Sequence, residues 1–99
     1  MTRVGFYMQG VLTIALDYDG TYNKDPLLWD KFISAAKLNG HEIFICTMRH
    51  PYEELEIDPG LHVEFTCRKN KHDHMKAKGK WVDIWIDDMP HFIHNDAAA

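Results

Sequence analysis

The sequence lacks any long apolar run, and its longest ones, such as residues 43–46, are far too short to cross a lipid bilayer. It also lacks a secretory signal. Arg3 precedes a short apolar stretch at residues 4–8, but this stretch is shorter than a signal-peptide core and no small-residue cleavage site follows it. We therefore expect a cytoplasmic protein with no membrane partner.

Cysteine is scarce, and its two copies, Cys46 and Cys67, stand 21 positions apart. A structural zinc site usually draws its cysteines from closer pairs. Cys46 lies in an apolar run, which is typical of a buried strand. The cysteines are therefore interpreted as two reduced structural thiols.

Positive charge is not in excess. The net charge of −4 excludes a general attraction to nucleic acid. The distribution is uneven, because six of the eleven Lys and Arg residues fall between Arg68 and Lys80, where Asp73 is the one acid. Such a basic segment either serves an anionic substrate or is a solvated helix face.

What the sequence does contain is typical of one folded domain. Its 99 residues are 45% hydrophobic and 26% charged, and they include no repeat or linker. Residues 1–10 are interpreted as a leader or an additional edge strand, and residues 11–99 as the domain.

Strand and helix patterns alternate along this domain. The predicted strands are residues 11–16, 42–47, 61–66 and 82–86, and the predicted helices are residues 26–39, 51–56 and 71–78. Asp25 and Pro26 mark the start of the first helix. This alternation predicts a three-layer, Rossmann-like α/β fold with about four parallel strands flanked by helices.

Each predicted strand is followed by polar side chains. Asp17 and Asp19 follow the first strand, Thr47 ends the second, and Asp87 and Asp88 follow the fourth. The third is followed by Arg68, Lys69 and Lys71. Ligands of parallel sheets bind beyond the carboxyl ends of the strands, so we expect one site there.

The residue types at this edge favour phosphate chemistry. Several carboxylates brought together repel one another unless a cation joins them, and oxygen ligands favour Mg²⁺ over zinc. A carboxylate such as Asp17 can attack phosphorus, and Asp19 can transfer protons. Thr47 and a lysine can donate to phosphoryl oxygens, and Gly20 permits a sharp turn after the strand.

Four segments, in this order, resemble the motifs of the haloacid dehalogenase superfamily. Residues 12–21 resemble its first motif, an apolar strand followed by Asp-x-Asp-Gly-Thr, and residues 43–47 resemble its second, a strand ending in Ser or Thr. A lysine near 69–71 resembles the third motif. Residues 84–88 resemble the fourth, a strand ending in paired acids. The resemblance covers about residues 11–93.

The resemblance implies a sheet order of 3-2-1-4 and a magnesium-dependent phosphomonoesterase that works through an aspartyl-phosphate. It implies that Asp17 is the nucleophile, Asp19 the general acid and base, and Thr47 a phosphate ligand. The implied metal ligands are Asp17, Asp87 and the backbone carbonyl of Asp19, with Asp88 supporting them. We expect substrate-binding residues at Gly20, Thr21 and Lys69. Arg49, which follows Thr47 at the same edge, is expected either to touch substrate or to be a surface residue.

Two features depart from the family pattern. The third motif is close to the fourth, so Lys69, Lys71 and Lys76 compete for its role; Lys71 is favoured because it stands at a predicted helix start. The chain also leaves no room for the cap domain that the family often inserts. An uncapped site suits a phosphorylated macromolecule, or closure by a second subunit of a homo-oligomer.

Three alternatives remain open at this stage. A response-regulator receiver carries its paired acids early in the chain, whereas this sequence carries them last. A non-catalytic binding or regulatory module could keep the same fold and bind an ion. A phosphomutase is disfavoured because a cap normally excludes water from its intermediate.

Overall fold

The computed structural model describes residues 10–98, which contain a four-stranded parallel sheet. Its strands are β1 (Thr13–Leu16), β2 (Glu42–Thr47), β3 (Val63–Phe65) and β4 (Ile84–Ile86). They lie in the order β3-β2-β1-β4, and every pairing is parallel. The predicted fold class and strand order are therefore confirmed.

The helices are α1 (Pro26–Leu38), α2 (Lys71–Ala77) and α3 (His91–His94), and a 3-10 turn (Tyr22–Lys24) precedes α1. Asp25 caps α1 by accepting a hydrogen bond from the backbone N–H of Leu28. None of the helices in the described part of the chain is long and apolar enough to cross a membrane.

The two faces of the sheet are covered by different helices because strand side chains alternate between faces. Ile14 and Leu16 of β1 pack with Ile33 and Ala36 of α1 in one buried cluster. Ala15, between them, faces the other way. It joins a second cluster, which contains Phe44, Cys46 and Met75. The result is the expected arrangement of helix, sheet and helix, and Cys46 is buried as expected.

The register of the sheet brings the strand ends to one edge. Leu16 pairs with Ile45 of β2 on one side and with Ile86 of β4 on the other. The residues that follow, including Asp17 and Asp87, therefore leave the sheet side by side.

Several boundaries differ from the sequence predictions. β1, β3 and β4 are two to three residues shorter than predicted, and α3, which the sequence analysis did not predict, follows Pro90. Of the segment at residues 1–10, only Gly10 is described, so the leader or edge-strand hypothesis falls outside the described residues. Residues 10–98 contain no inserted cap.

The predicted helix at residues 51–56 is wrong. This segment is a turn followed by irregular chain, because its backbone groups bond to side chains elsewhere. Arg49 Nη1 donates to the carbonyl oxygen of Glu54, and the N–H of Glu56 donates to the hydroxyl of Tyr18. Leu55 packs against the core. In a helix, the Glu54 carbonyl and the Glu56 N–H would not be placed to make these two hydrogen bonds.

Candidate active site

A small cavity of about 190 Å³ opens at the carboxyl edge of the sheet. Its walls come from the ends of β1, β2 and β4 and from the starts of α2 and α3. The residues that line it are Asp17, Asp19, Thr47, Met48, Lys71, Asp87, Asp88, Met89 and Phe92. Six of these nine were predicted as site residues from the sequence.

Lys71 is the central charged group of this cavity. It is the first residue of α2, whose start is capped by the Asn70 side chain, and it is only 3% exposed. Its Nζ donates to Asp17 Oδ1 at 2.7 Å and to Asp87 Oδ2 at 2.6 Å. Burial acts to lower the pKa of Lys71, but these two carboxylates outweigh it and raise that pKa above its usual value.

Burial disfavours the charged form of the Asp17 carboxyl group more than Lys71 favours it. Burial raises the pKa of Asp17 to about 7, although Lys71 acts to lower it. The nearby Asp87 charge adds to the rise. An additional cation at this position would therefore stabilise the charged form of Asp17.

The geometry of the carboxylates fits such a cation. Asp17, Asp87 and Asp88 each offer one oxygen, and these three atoms lie within 4.8 Å of one another. Oxygen-only donors are those preferred by Mg²⁺ and Ca²⁺, and Mg²⁺ usually retains several waters beside one or two carboxylates. The donor set therefore fits a divalent cation of this class, to which magnesium belongs. The Asp19 carboxylate is not part of this group.

Thr21 and Gly20 adjoin the acids Asp17 and Asp88 but do not line this cavity. The Thr21 hydroxyl lies 3.2 Å from Asp17 Oδ2 and 3.1 Å from Asp88 Oδ1, and its one hydrogen can serve either oxygen. The N–H of Asp88 donates back to this hydroxyl. Gly20 has φ +83°, and a Cβ there would lie 2.8 Å from Asp88 Cγ. Only glycine fits this turn without displacing Asp88.

Thr47 ends β2 with its side chain almost completely buried. Its Oγ1 accepts a hydrogen bond of 3.2 Å from the N–H of Arg49. Because the oxygen accepts this bond, the hydroxyl hydrogen is left to donate to a group in the cavity. The position is suited to binding an anion beside Lys71.

Asp19 and Arg49 form a two-point ion pair at the rim. Arg49 Nε donates to Asp19 Oδ2 at 2.9 Å, and Nη2 donates to Oδ1 at 2.7 Å. The Asp19 side chain is half exposed, and Arg49 is not among the residues that line the cavity. The hydrogen bonds that Arg49 donates to Asp19 raise the pKa of Arg49.

Of the three competing lysines, the structure brings one into the site. Lys69 and Lys76 are exposed. Within residues 10–98, neither side chain bonds to a carboxylate of the cavity. Whether Lys71 performs the role of the third motif stays a prediction.

Sequence reasoning missed three lining residues. Met48 and Met89 are direct neighbours of Thr47 and Asp88, so adjacency could have found them. Phe92 belongs to α3, and no sequence signal placed that helix over the strand ends.

A larger cavity, of about 560 Å³, lies against α2 on the sheet face covered by that helix. Its walls include Trp81, Trp85, His72 and His94, and Asp83 is its one acidic residue. It contains no group of converging carboxylates, so the smaller cavity is the better candidate for catalysis.

The sequence matches no protein-family model, and searches of curated proteins and of solved structures found no significant match.

Proposed function

We propose that this protein is a magnesium-dependent phosphomonoesterase of the haloacid dehalogenase type, acting through an aspartyl-phosphate on Asp17. The observation that supports this most strongly is the buried Lys71 ammonium group, which joins Asp17 to Asp87 at the open end of the sheet. A buried lysine shared by two acids, beside a third acid and a threonine hydroxyl, suits the charge of a phosphoryl group and a metal ion.

In the first step, a carboxylate oxygen of Asp17 attacks phosphorus while the bond from phosphorus to the ester oxygen breaks. Asp19 supplies a proton to the departing alkoxide. Lys71 and Thr47 donate to the equatorial phosphoryl oxygens, where they stabilise the developing charge.

In the second step, Asp19 takes a proton from water, and the resulting hydroxide attacks the phosphorus of the aspartyl-phosphate. Inorganic phosphate leaves and the Asp17 carboxylate is restored. Asp17, Asp87 and Asp88 would hold the magnesium ion. Its positive charge neutralises phosphoryl oxygens when it is bound.

The substrate proposed is a phosphate monoester, and the absence of a cap among residues 10–98 favours one carried on a macromolecule. Closure by a second subunit is the other way to complete an open site. A cytoplasmic location is part of the proposal, since both cysteines are free thiols.

The test is a panel of phosphate esters, including an activated aryl phosphate, assayed with magnesium for wild type and Asp17→Asn. The amide is nearly isosteric with the carboxylate but is a far poorer nucleophile. We expect turnover by wild type and none by the variant, with equal circular dichroism. Asp30→Asn, an exposed acid of α1, is the matched control and should retain activity.

Two results would contradict the proposal. One is full activity in a verified Asp17→Asn preparation. The other is a folded, magnesium-loaded wild type that hydrolyses none of the esters. That second result would favour the non-catalytic binding module, in which the acids only bind an ion.

A further inference from the structure

We propose that Arg49 is a positioning residue that acts on the reaction through Asp19, by fixing the carboxylate of the general acid at the rim of the cavity. This inference rests on the proposed phosphomonoesterase function. It assigns to Arg49 a different task from direct contact with substrate, which its position after Thr47 led us to expect.

The first support is the geometry of the pair. The guanidinium fork meets both carboxylate oxygens of Asp19, at 2.9 Å and 2.7 Å. This arrangement fixes the plane of the carboxylate as well as its distance, which a single hydrogen bond does not do. A carboxylate has about four lone-pair positions, so the fork still leaves positions from which a proton can be exchanged.

The second support is that Asp19 has little else to hold it. Its side chain is 51% exposed. Within residues 10–98, its hydrogen bonds are those to Arg49. An exposed carboxylate without this pair would sample several rotamers, and a proton donor must stand within about 3 Å of the leaving oxygen.

The third support is that Arg49 is itself held in place by the irregular segment 50–57. Its Nη1 donates to the carbonyl oxygen of Glu54 at 2.8 Å, and its Cζ lies 5.1 Å from the centre of the Tyr18 ring. The Tyr18 hydroxyl accepts from the N–H of Glu56 at 3.0 Å. The segment that was wrongly predicted as a helix thus anchors the guanidinium group from one side.

These contacts leave Arg49 poorly placed as a phosphate ligand. Its Nε, Nη1 and Nη2 atoms all donate to protein oxygens, and the side chain does not line the cavity. Binding phosphate would require it to release Asp19. Thr47 and Lys71, by contrast, line the cavity directly.

The test is a double-mutant cycle between Arg49→Met and Asp19→Asn, measured on an alkyl phosphate and on an activated aryl phosphate. An aryl leaving group departs without a proton, whereas an alkoxide needs one. We expect Arg49→Met to lower kcat for the alkyl ester by about 10- to 100-fold with little change in KM. The initial burst of phenolate from the aryl ester should be retained.

In the Asp19→Asn background, adding Arg49→Met should change kcat for the alkyl ester by less than about twofold, because residues acting as a unit are not additive. Arg49→Lys should recover only part of the loss, since an ammonium group cannot form the fork. Arg68→Met is the matched control. Arg68 is similarly exposed and bonds to Met48 and Glu53, but it touches no acid of the site.

Three outcomes would overturn this inference without contradicting the proposed function. Additive losses, with a raised KM for both esters, would make Arg49 a phosphate ligand. Wild-type kinetics in Arg49→Met would leave it without a role. Equal losses of activity and melting temperature in Arg49→Met and Arg68→Met would make its role structural. If wild type hydrolyses neither ester, the proposed function itself fails, and this inference fails with it.

Discussion

A Cβ atom added at Gly20 would lie 2.8 Å from Cγ of Asp88, so the turn after β1 and the acid after β4 are in direct steric contact. Thr21 adds a hydrogen bond of 3.1 Å to the same carboxylate. The turn therefore sets the distance between Asp17 and Asp88, on which the proposed metal site depends.

Gly20→Ala is expected to destabilise the protein by about 2–4 kcal/mol, because it adds a left-handed backbone penalty to a collision with Asp88. The matched control is Gly40→Ala. Gly40 has nearly the same φ, +85°, but nothing lies within 4 Å of its added Cβ. This control substitution should lower the free energy of unfolding by only about 1 kcal/mol. Urea denaturation of both variants measures the difference, and equal losses would show that the Asp88 contact is unimportant.

Lys71→Met is expected to lower the free energy of unfolding by about 3 kcal/mol in metal-free buffer, because it leaves two buried carboxylates without their shared cation. Added magnesium should restore part of this loss. Lys69→Met, at an exposed position, should stay within about 0.5 kcal/mol of wild type. Denaturation curves with and without magnesium give both values. A Lys71→Met protein as stable as wild type would argue that the acids repel each other only weakly.

Magnesium is expected to raise the melting temperature of wild type by several degrees at millimolar concentration, since a ligand that binds only the folded state stabilises it. Asp87→Asn should abolish this rise, because it removes one of the three converging carboxylates. Asp83→Asn is the control. Asp83 precedes β4 at the opposite end of that strand and should leave the rise intact. Identical melts of wild type with and without magnesium would count strongly against the metal site.

Glu64 of β3 lies outside the proposed metal site and allows a prediction of how the stability of the fold depends on pH. Its burial acts to raise the pKa, but His74, His62 and Lys78 outweigh it and lower the pKa of Glu64 to about 2. A folded pKa below the unfolded value means that the stabilisation is complete above about pH 4.5 and is lost as pH falls towards 2.

Wild type should therefore lose stability between about pH 5 and pH 2, by at most about 3 kcal/mol from this group. Glu64→Gln should flatten that part of the profile. Glu54→Gln, at an exposed position, is the control and should follow wild type. Urea denaturation at several pH values measures this, and a Glu64→Gln profile parallel to that of wild type would exclude the contribution.

The sequence by itself determined the fold class and the edge at which the polar residues meet. The short apolar runs of the strands and the start of α1 at Asp25 and Pro26 are local signals, so they can be recognised without tertiary information. The alternation of strands and helices then favours parallel pairing, and parallel strands place Asp17, Thr47 and Asp87 at one edge.

Only the tertiary structure decided which side chains touch. Among Lys69, Lys71 and Lys76 the sequence favoured Lys71 as the start of a predicted helix. The contacts of its Nζ with Asp17 and Asp87, however, depend on how α2 packs against the strand ends. Residues 51–56 have a helix-like pattern, yet contacts with Arg49 and Tyr18 outweigh that weak local preference. Hydrogen bonds between residues distant in the chain depend on how the elements pack, and local propensity carries no information about that packing.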